Sequence, residues 1–135
     1  MENKNIRWMQ RFENFSKTCR LLSEIGGYEL TETPAIIREG FIQRFKITFD
    51  LAWKTVNDYL RFLGHNAQSS PRPIIKEAFT AKVIENGQAF INMLEARNEM
   101  SHRYDEEMFN KMFKQIKDEF YPALEGLRVY LERVK

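Results

Sequence analysis

Phe41-Ile42-Gln43-Arg44-Phe45-Lys46-Ile47-Thr48-Phe49-Asp50-Leu51-Ala52-Trp53-Lys54 decides the fold. Phe41, Phe45, Phe49 and Ala52 return at helical intervals, and no strand-like alternation competes with them. The stripe begins at Ile37 and continues through Val56, Leu60 and Leu63, while Ile42, Trp53 and Tyr59 widen it. This spacing predicts one long helix from about Pro34 to Leu63. A stripe so wide has to be covered from more than one side, as at the centre of a bundle. Thr33-Pro34 reads as an N-cap followed by a first-turn proline, and Gly64 as the stop. Gly40, inside the helix, costs about 1 kcal/mol against alanine and marks a place for close packing.

Shorter patterns flank this helix. From about Asn5 to Ile25, Trp8, Phe12, Phe15, Cys19 and Leu22 form a narrow apolar seam, closed by Gly26-Gly27. Ser70-Pro71 opens a third helix whose apolar side is Ile74, Ile75, Ala78, Phe79 and Val83. Asn86-Gly87 breaks the chain, and a fourth helix follows over about Gln88 to Ser101. A fifth opens on Asp105-Glu106-Glu107, acidic residues suited to the positive end of a helix dipole. Phe109, Phe113, Ile116, Phe120, Leu124, Leu127 and Leu131 give it a core face, and Pro122 is expected to kink it. The expectation is an all-α bundle with short antiparallel connections, a single domain over residues 1–135.

Composition narrows the function. Apolar residues are 43% of the 135, enough for a real core, and eleven are Phe. A net charge of +2 supplies no global basic field, so any nucleic-acid contact has to be local. The single Cys19 excludes an internal disulfide and fits a reducing compartment; its place in an apolar seam reads as a buried, inert thiol. One cysteine and two distant histidines, His65 and His102, do not make a usual zinc site, and no metal or cofactor is expected. The polar N-terminus lacks the apolar core of a signal peptide, and no apolar run reaches membrane-spanning length. A soluble, cytoplasmic protein without a membrane partner is expected.

Chemistry gathers in Arg97-Asn98-Glu99-Met100-Ser101-His102-Arg103-Tyr104, where a helical pattern runs out. Helix ends expose unpaired backbone groups and adjoin loops. Arg97 and His102 are five residues apart, about 500° around an ideal helix, so they share a face only if the helix loosens before His102. Taken singly, each residue has an ordinary reading. Arg97 is a surface cation paired with Glu95 or Glu99, His102 a favourable C-terminal helix residue, and Tyr104 a core-edge aromatic. Together they supply what metal-free RNA cleavage needs. Arginine offers a donor fork for phosphate, and histidine moves protons near neutral pH. His102 can serve the 2′-hydroxyl or the leaving oxygen, and Arg97 the charge on the phosphate. With one such histidine per chain, two-sided acid–base catalysis requires a symmetric partner.

These residues resemble a known family. Arg97-Asn98, His102 and Tyr104 match the Arg-x4-His-x-Tyr signature of HEPN domains, including the polar residue after the arginine. Three stretches resemble the bacterial nucleotidyltransferase substrate-binding proteins: Ile42 to Lys54, Ser70-Pro71-Arg72 with Lys76-Glu77-Ala78-Phe79, and Met93 to Asn98 with Ser101-His102. The resemblance implies an up-and-down bundle of four to five helices that forms homodimers, with the motifs near the dimer cleft. It also implies a separately encoded minimal nucleotidyltransferase as partner. In related pairs the HEPN protein is a metal-independent ribonuclease toxin with RNA as substrate, silenced when the partner attaches AMP to the motif tyrosine, here Tyr104. Arg97 and His102 then correspond to the catalytic pair and Asn98 to a supporting residue. An older naming treats the branch as a non-catalytic subunit presenting substrate to the transferase. The chain lacks the Gly-Ser pair and following aspartates of nucleotidyltransferases, so it is not expected to transfer nucleotides itself. A helical dimerisation scaffold with a purely structural motif is the third reading.

Overall fold

The computed structural model describes residues 2–135, with side chains from residue 5 onward. Helix α1 spans Glu2–Leu22 and passes into a 3-10 turn, Ser23–Gly27. A second short turn, Leu30–Glu32, leads to α2, Ala35–Phe62. Then come α3, Pro71–Thr80, α4, Gly87–Glu99, and α5, Glu106–Gln115. A π turn, Ile116–Phe120, carries α5 into α6, Tyr121–Val134. With α5, the π turn and α6 taken as one rod, the molecule is an all-α bundle of five helices, without a strand among the described residues. No described helix is long and apolar enough to cross a membrane.

Helix α2 is the centre that its wide stripe predicts. Phe41 meets Phe113 of α5 edge-on at 6.1 Å, and Phe45 stacks on Phe120 of the π turn at 5.0 Å. Tyr59 meets Trp8 of α1 at 4.9 Å. Such offset and edge-on pairs add about 0.5–1.5 kcal/mol each beyond the area they bury. The buried hydroxyls of Thr48 and Thr55 donate to the carbonyls of Arg44 and Leu51 one turn back, so they cost the core no unmet donor. Gly64 ends the helix in the left-handed region, φ 102°, where a side chain would be strained.

Several details differ from the sequence-based expectation or refine it. Thr33 does not cap α2; its hydroxyl donates to the Glu29 carbonyl and closes the preceding turn, while Pro34 occupies the cap position. Phe79 is 55% exposed and lies over Gly87, and Phe109 is half-buried, Met108 and Met112 filling the core beside it. Helical spacing alone does not separate the middle of an apolar stripe from its edge. At Gly40 an added Cβ would meet nothing within 4 Å, so no described part of this chain uses the close approach. Pro122 stands just past the π turn, where the Tyr121 amide reaches back five residues to the Ile116 carbonyl. Proline lacks an amide donor and crowds the carbonyl four residues before it; a π turn widens the helix there.

Candidate functional site

Helix α4 positions the site. Asn86 caps it by accepting the Ala89 amide at 3.0 Å. Phe90, Met93, Leu94 and Ala96 anchor its inner side in the core. Midway, Asn92 donates to Glu119 of the π turn at 2.7 Å. The helix ends at Glu99, and the chain then tightens: the Ser101 amide bonds Asn98 at 3.1 Å and the His102 amide bonds Glu99 at 2.9 Å. These three-residue closures wind the chain more tightly than the α-helix before it. The loop closes at Asp105, whose carboxylate accepts the Met108 amide at 2.8 Å and caps α5.

Arg97 stands in the last turn of α4. Its guanidinium carbon lies 5.6 Å from the centre of the Phe49 ring, an electron-rich face that attracts a cation. Phe49 is fully buried on α2, so this contact ties the site to the rigid centre of the bundle. The only hydrogen bond of the Arg97 side chain among the described residues is a long one, donated from Nη2 to Asn98 Oδ1 at 3.4 Å. The ordinary reading of Arg97 gave it a carboxylate partner, Glu95 or Glu99. No described carboxylate pairs with it, and Glu99 binds Arg103 instead. Most of the donor fork therefore stays available to an outside acceptor. His102 is exposed, and Tyr104 is 76% exposed, at the junction of loop and helix. No side-chain hydrogen bond among the described residues holds either of them or joins them to Arg97. Arg97 and Asn98 thus touch, while His102 and Tyr104 stand on the adjoining loop.

Arg103 is the residue that the sequence reading passed over. It donates to Glu99 at 3.0 Å and, through Nε and Nη2, to both oxygens of Asp105 at 3.1 and 3.0 Å. One guanidinium thereby clamps the end of α4 to the start of α5, with His102 and Tyr104 on either side of it in sequence. The Arg103 hydrogen bonds, and then the Met108 amide, hold the Asp105 carboxyl below its ordinary 3.8. The spacing of Glu99 to Arg103, four residues along a helix, was the available signal.

Concavity does not mark this site. A groove of about 640 Å³ lies between the α3–α4 connector and α6, and none of Arg97, Asn98, His102 or Tyr104 lines it. Among the described residues no three His, Cys, Asp or Glu side chains are grouped to hold a metal ion.

The fold recurs in the crystal structure of a Thermus thermophilus protein that is 25% identical in sequence, with a TM-score of 0.78 over 90% of this chain and 98% of that one. No curated protein matches the sequence. Residues 10–133, spanning α1 to α6, match the family described as nucleotidyltransferase substrate binding protein like. The chain belongs to that family, a HEPN branch of all-helical proteins.

Proposed function

We propose that the chain is the HEPN subunit of a two-protein toxin–antitoxin pair, a homodimeric endoribonuclease that a cognate minimal nucleotidyltransferase silences. The observation that carries this reading is Arg97, held on the Phe49 ring with no described carboxylate to neutralise it, five residues before an exposed histidine. In this reaction the RNA 2′-hydroxyl oxygen attacks the adjacent phosphorus and the 5′-oxygen leaves. The products are a 2′,3′-cyclic phosphate and a 5′-hydroxyl. One His102 takes the 2′-hydroxyl proton, and His102 of the partner subunit protonates the leaving oxygen. Arg97 stabilises the charge that builds on the phosphate oxygens, and Asn98 orients the phosphate. Proton transfer and charge stabilisation both come from side chains, so the reaction needs no added metal or cofactor. The pair works in the cytoplasm, where Cys19 stays reduced.

The outer face of α2 supports the dimer. Ile36 and Ile47 are 80% and 45% exposed, and Gly40 between them has open space above it. A second copy crossing at Gly40 gives that helix-interior glycine a use that its own chain does not. The exposed Tyr104 hydroxyl supports the silencing step. It attacks the α-phosphorus of ATP on the transferase, pyrophosphate leaves, and AMP stays on the tyrosine. The bound anion then fills the place of the RNA phosphate.

The test compares the purified dimer with His102→Ala on mixed RNA in EDTA. Removal of the proton-transfer group is expected to slow cleavage about 10²–10⁴-fold, with the circular dichroism spectrum unchanged. Equal cleavage by both proteins, or cleavage by neither, favours a non-catalytic subunit that presents substrate to the transferase. Separately, the chain co-produced with its transferase, ATP and magnesium is expected to gain the mass of AMP on the Tyr104 peptide. Modification at another residue would sink the silencing step.

A further inference from the structure

The groove between the α3–α4 connector and α6 has a use of its own. Its floor is apolar, with Phe90 and Leu127 buried beneath it. Its α6 wall carries Pro122, Gly126, Val129 and Arg133, one stripe at helical spacing, and all four are exposed. An added Cβ at Gly126 would meet nothing within 4 Å. The chain thus keeps a glycine inside a helix, where alanine is the better helix former, although none of its described parts comes close. Opposite, Lys82 takes a left-handed backbone, φ 63°, as the residue that closes α3: its amide bonds the Phe79 carbonyl and the Val83 amide bonds the Ala78 carbonyl. That closing turn places Lys82 on the groove wall.

Length and charge select the occupant. From Asp118 to Arg133 the helical wall runs about 22 Å at 1.5 Å per residue, roughly four turns. That is long for a small metabolite and suits a helix lying along the groove. Four carboxylates line it, Glu85, Asp118, Glu119 and Glu125, against two cations, Lys82 and Arg133. Glu119 is engaged by Asn92 and Glu125 by Arg128, whereas Glu85 and Asp118 make no ion pair among the described residues. The acidic surplus calls for lysine or arginine on the occupant's flanks. Asp118 at one end and Arg133 at the other also favour one direction, with the positive helix start beside Asp118 and the negative helix end beside Arg133.

We propose that this groove seats an amphipathic helix with basic flanks, contributed by the cognate nucleotidyltransferase and running parallel to α6. The inference rests on the pairing proposed above and adds the surface through which it occurs. Calorimetry of the purified transferase against the full chain tests it, with Gly126→Arg and Val129→Lys as variants. Arginine is a better helix former than glycine and meets open space at position 126, and Val129 is 44% exposed, so both variants are expected to fold; thermal melting verifies this. Each is expected to weaken binding at least tenfold while light scattering still shows the homodimer. Unchanged affinity in both variants overturns the groove and leaves the pairing standing. Failure of the unmodified chain to bind overturns the pairing and this inference together. Dissociation of the homodimer by either variant makes the groove an interface between copies of the chain, which also overturns it.

Discussion

The two ends of α4 treat their polar groups in opposite ways. At the start, Asn86 turns its side chain back to cap the helix, and the Phe79 ring covers Gly87. At the finish, the strongest donor of the helix, Arg97, is held by an aromatic face and makes one long bond. Just beyond it, Arg103 spends its donors on Glu99 and Asp105. Two arginines six residues apart thus have different work: one is consumed in holding a loop, the other is positioned and left open. A purely structural helix end would pair both. The proposed site rests on this difference and not on cavity volume.

The largest expected effect comes from removing what holds Arg97. Phe49→Ala should cost about 3–5 kcal/mol, because the ring is fully buried and leaves a cavity. Cleavage should fall as well, since Arg97 loses its platform. Arg97→Lys should separate the two effects. Urea unfolding is expected to change by less than about 0.5 kcal/mol, as for a surface substitution. Cleavage should still drop at least tenfold, because an ammonium does not reproduce the planar fork. A lysine variant as active as the parent would mean that the cation–ring contact is a structural one.

Those two effects also mark what the sequence made legible. Phe41, Phe45, Phe49 and Ala52 could be placed on one inner face because helical periodicity carries that information directly. The Arg97–Tyr104 stretch could be singled out because its residue types crowd where the periodicity stops. Neither signal reveals that Arg97 rests on Phe49, since that contact joins residues far apart in the chain. Thr33 was misread for a related reason. A threonine before a proline suits a cap, but a carbonyl at Glu29, set by the preceding turn, competed for its hydroxyl. Phe79 failed because an apolar residue at the edge of a stripe can pack on a glycine outside the core. Arg103 lay in plain view, yet its role depends on the loop bringing Asp105 back toward Glu99.

A smaller effect sharpens the role of that clamp. Arg103→Ala is expected to change stability little, because its ion pairs are exposed and screened. Its signature is a titration. The Asp105 carboxyl lies below 3.8 in the folded chain, so its contribution is present above that value and fades as pH falls through the lower, folded one. In Arg103→Ala the Asp105 pKa should move up toward 3.8 without reaching it, because the Met108 amide still favours the carboxylate. Carbon-detected NMR titration of the Asp105 side chain measures this directly. Cleavage should drop severalfold as the loop bearing His102 loosens. A full loss, equal to that of His102→Ala, would instead put Arg103 in contact with substrate.

The smallest effect lies at the other end of α4. In Gly87→Ala the new methyl would stand 3.0 Å from Cδ1 and 3.3 Å from Cγ of Phe79, closer than carbon atoms ordinarily pack. Against that, alanine costs less backbone entropy than glycine when the chain becomes helical, although the first helical position captures only part of the interior difference of about 1 kcal/mol. The Phe79 ring is 55% exposed and not locked in the core, so it can swing a few tenths of an ångström toward solvent. The two terms should cancel to within about 0.5 kcal/mol. Cleavage should be unchanged, because the variant leaves the Asn86 cap and the far end of the helix as they were. A loss above about 1.5 kcal/mol would show that the Phe79 ring is held more firmly than its exposure implies. A loss of cleavage at full stability would be more serious, because it would couple the two ends that the structure keeps apart.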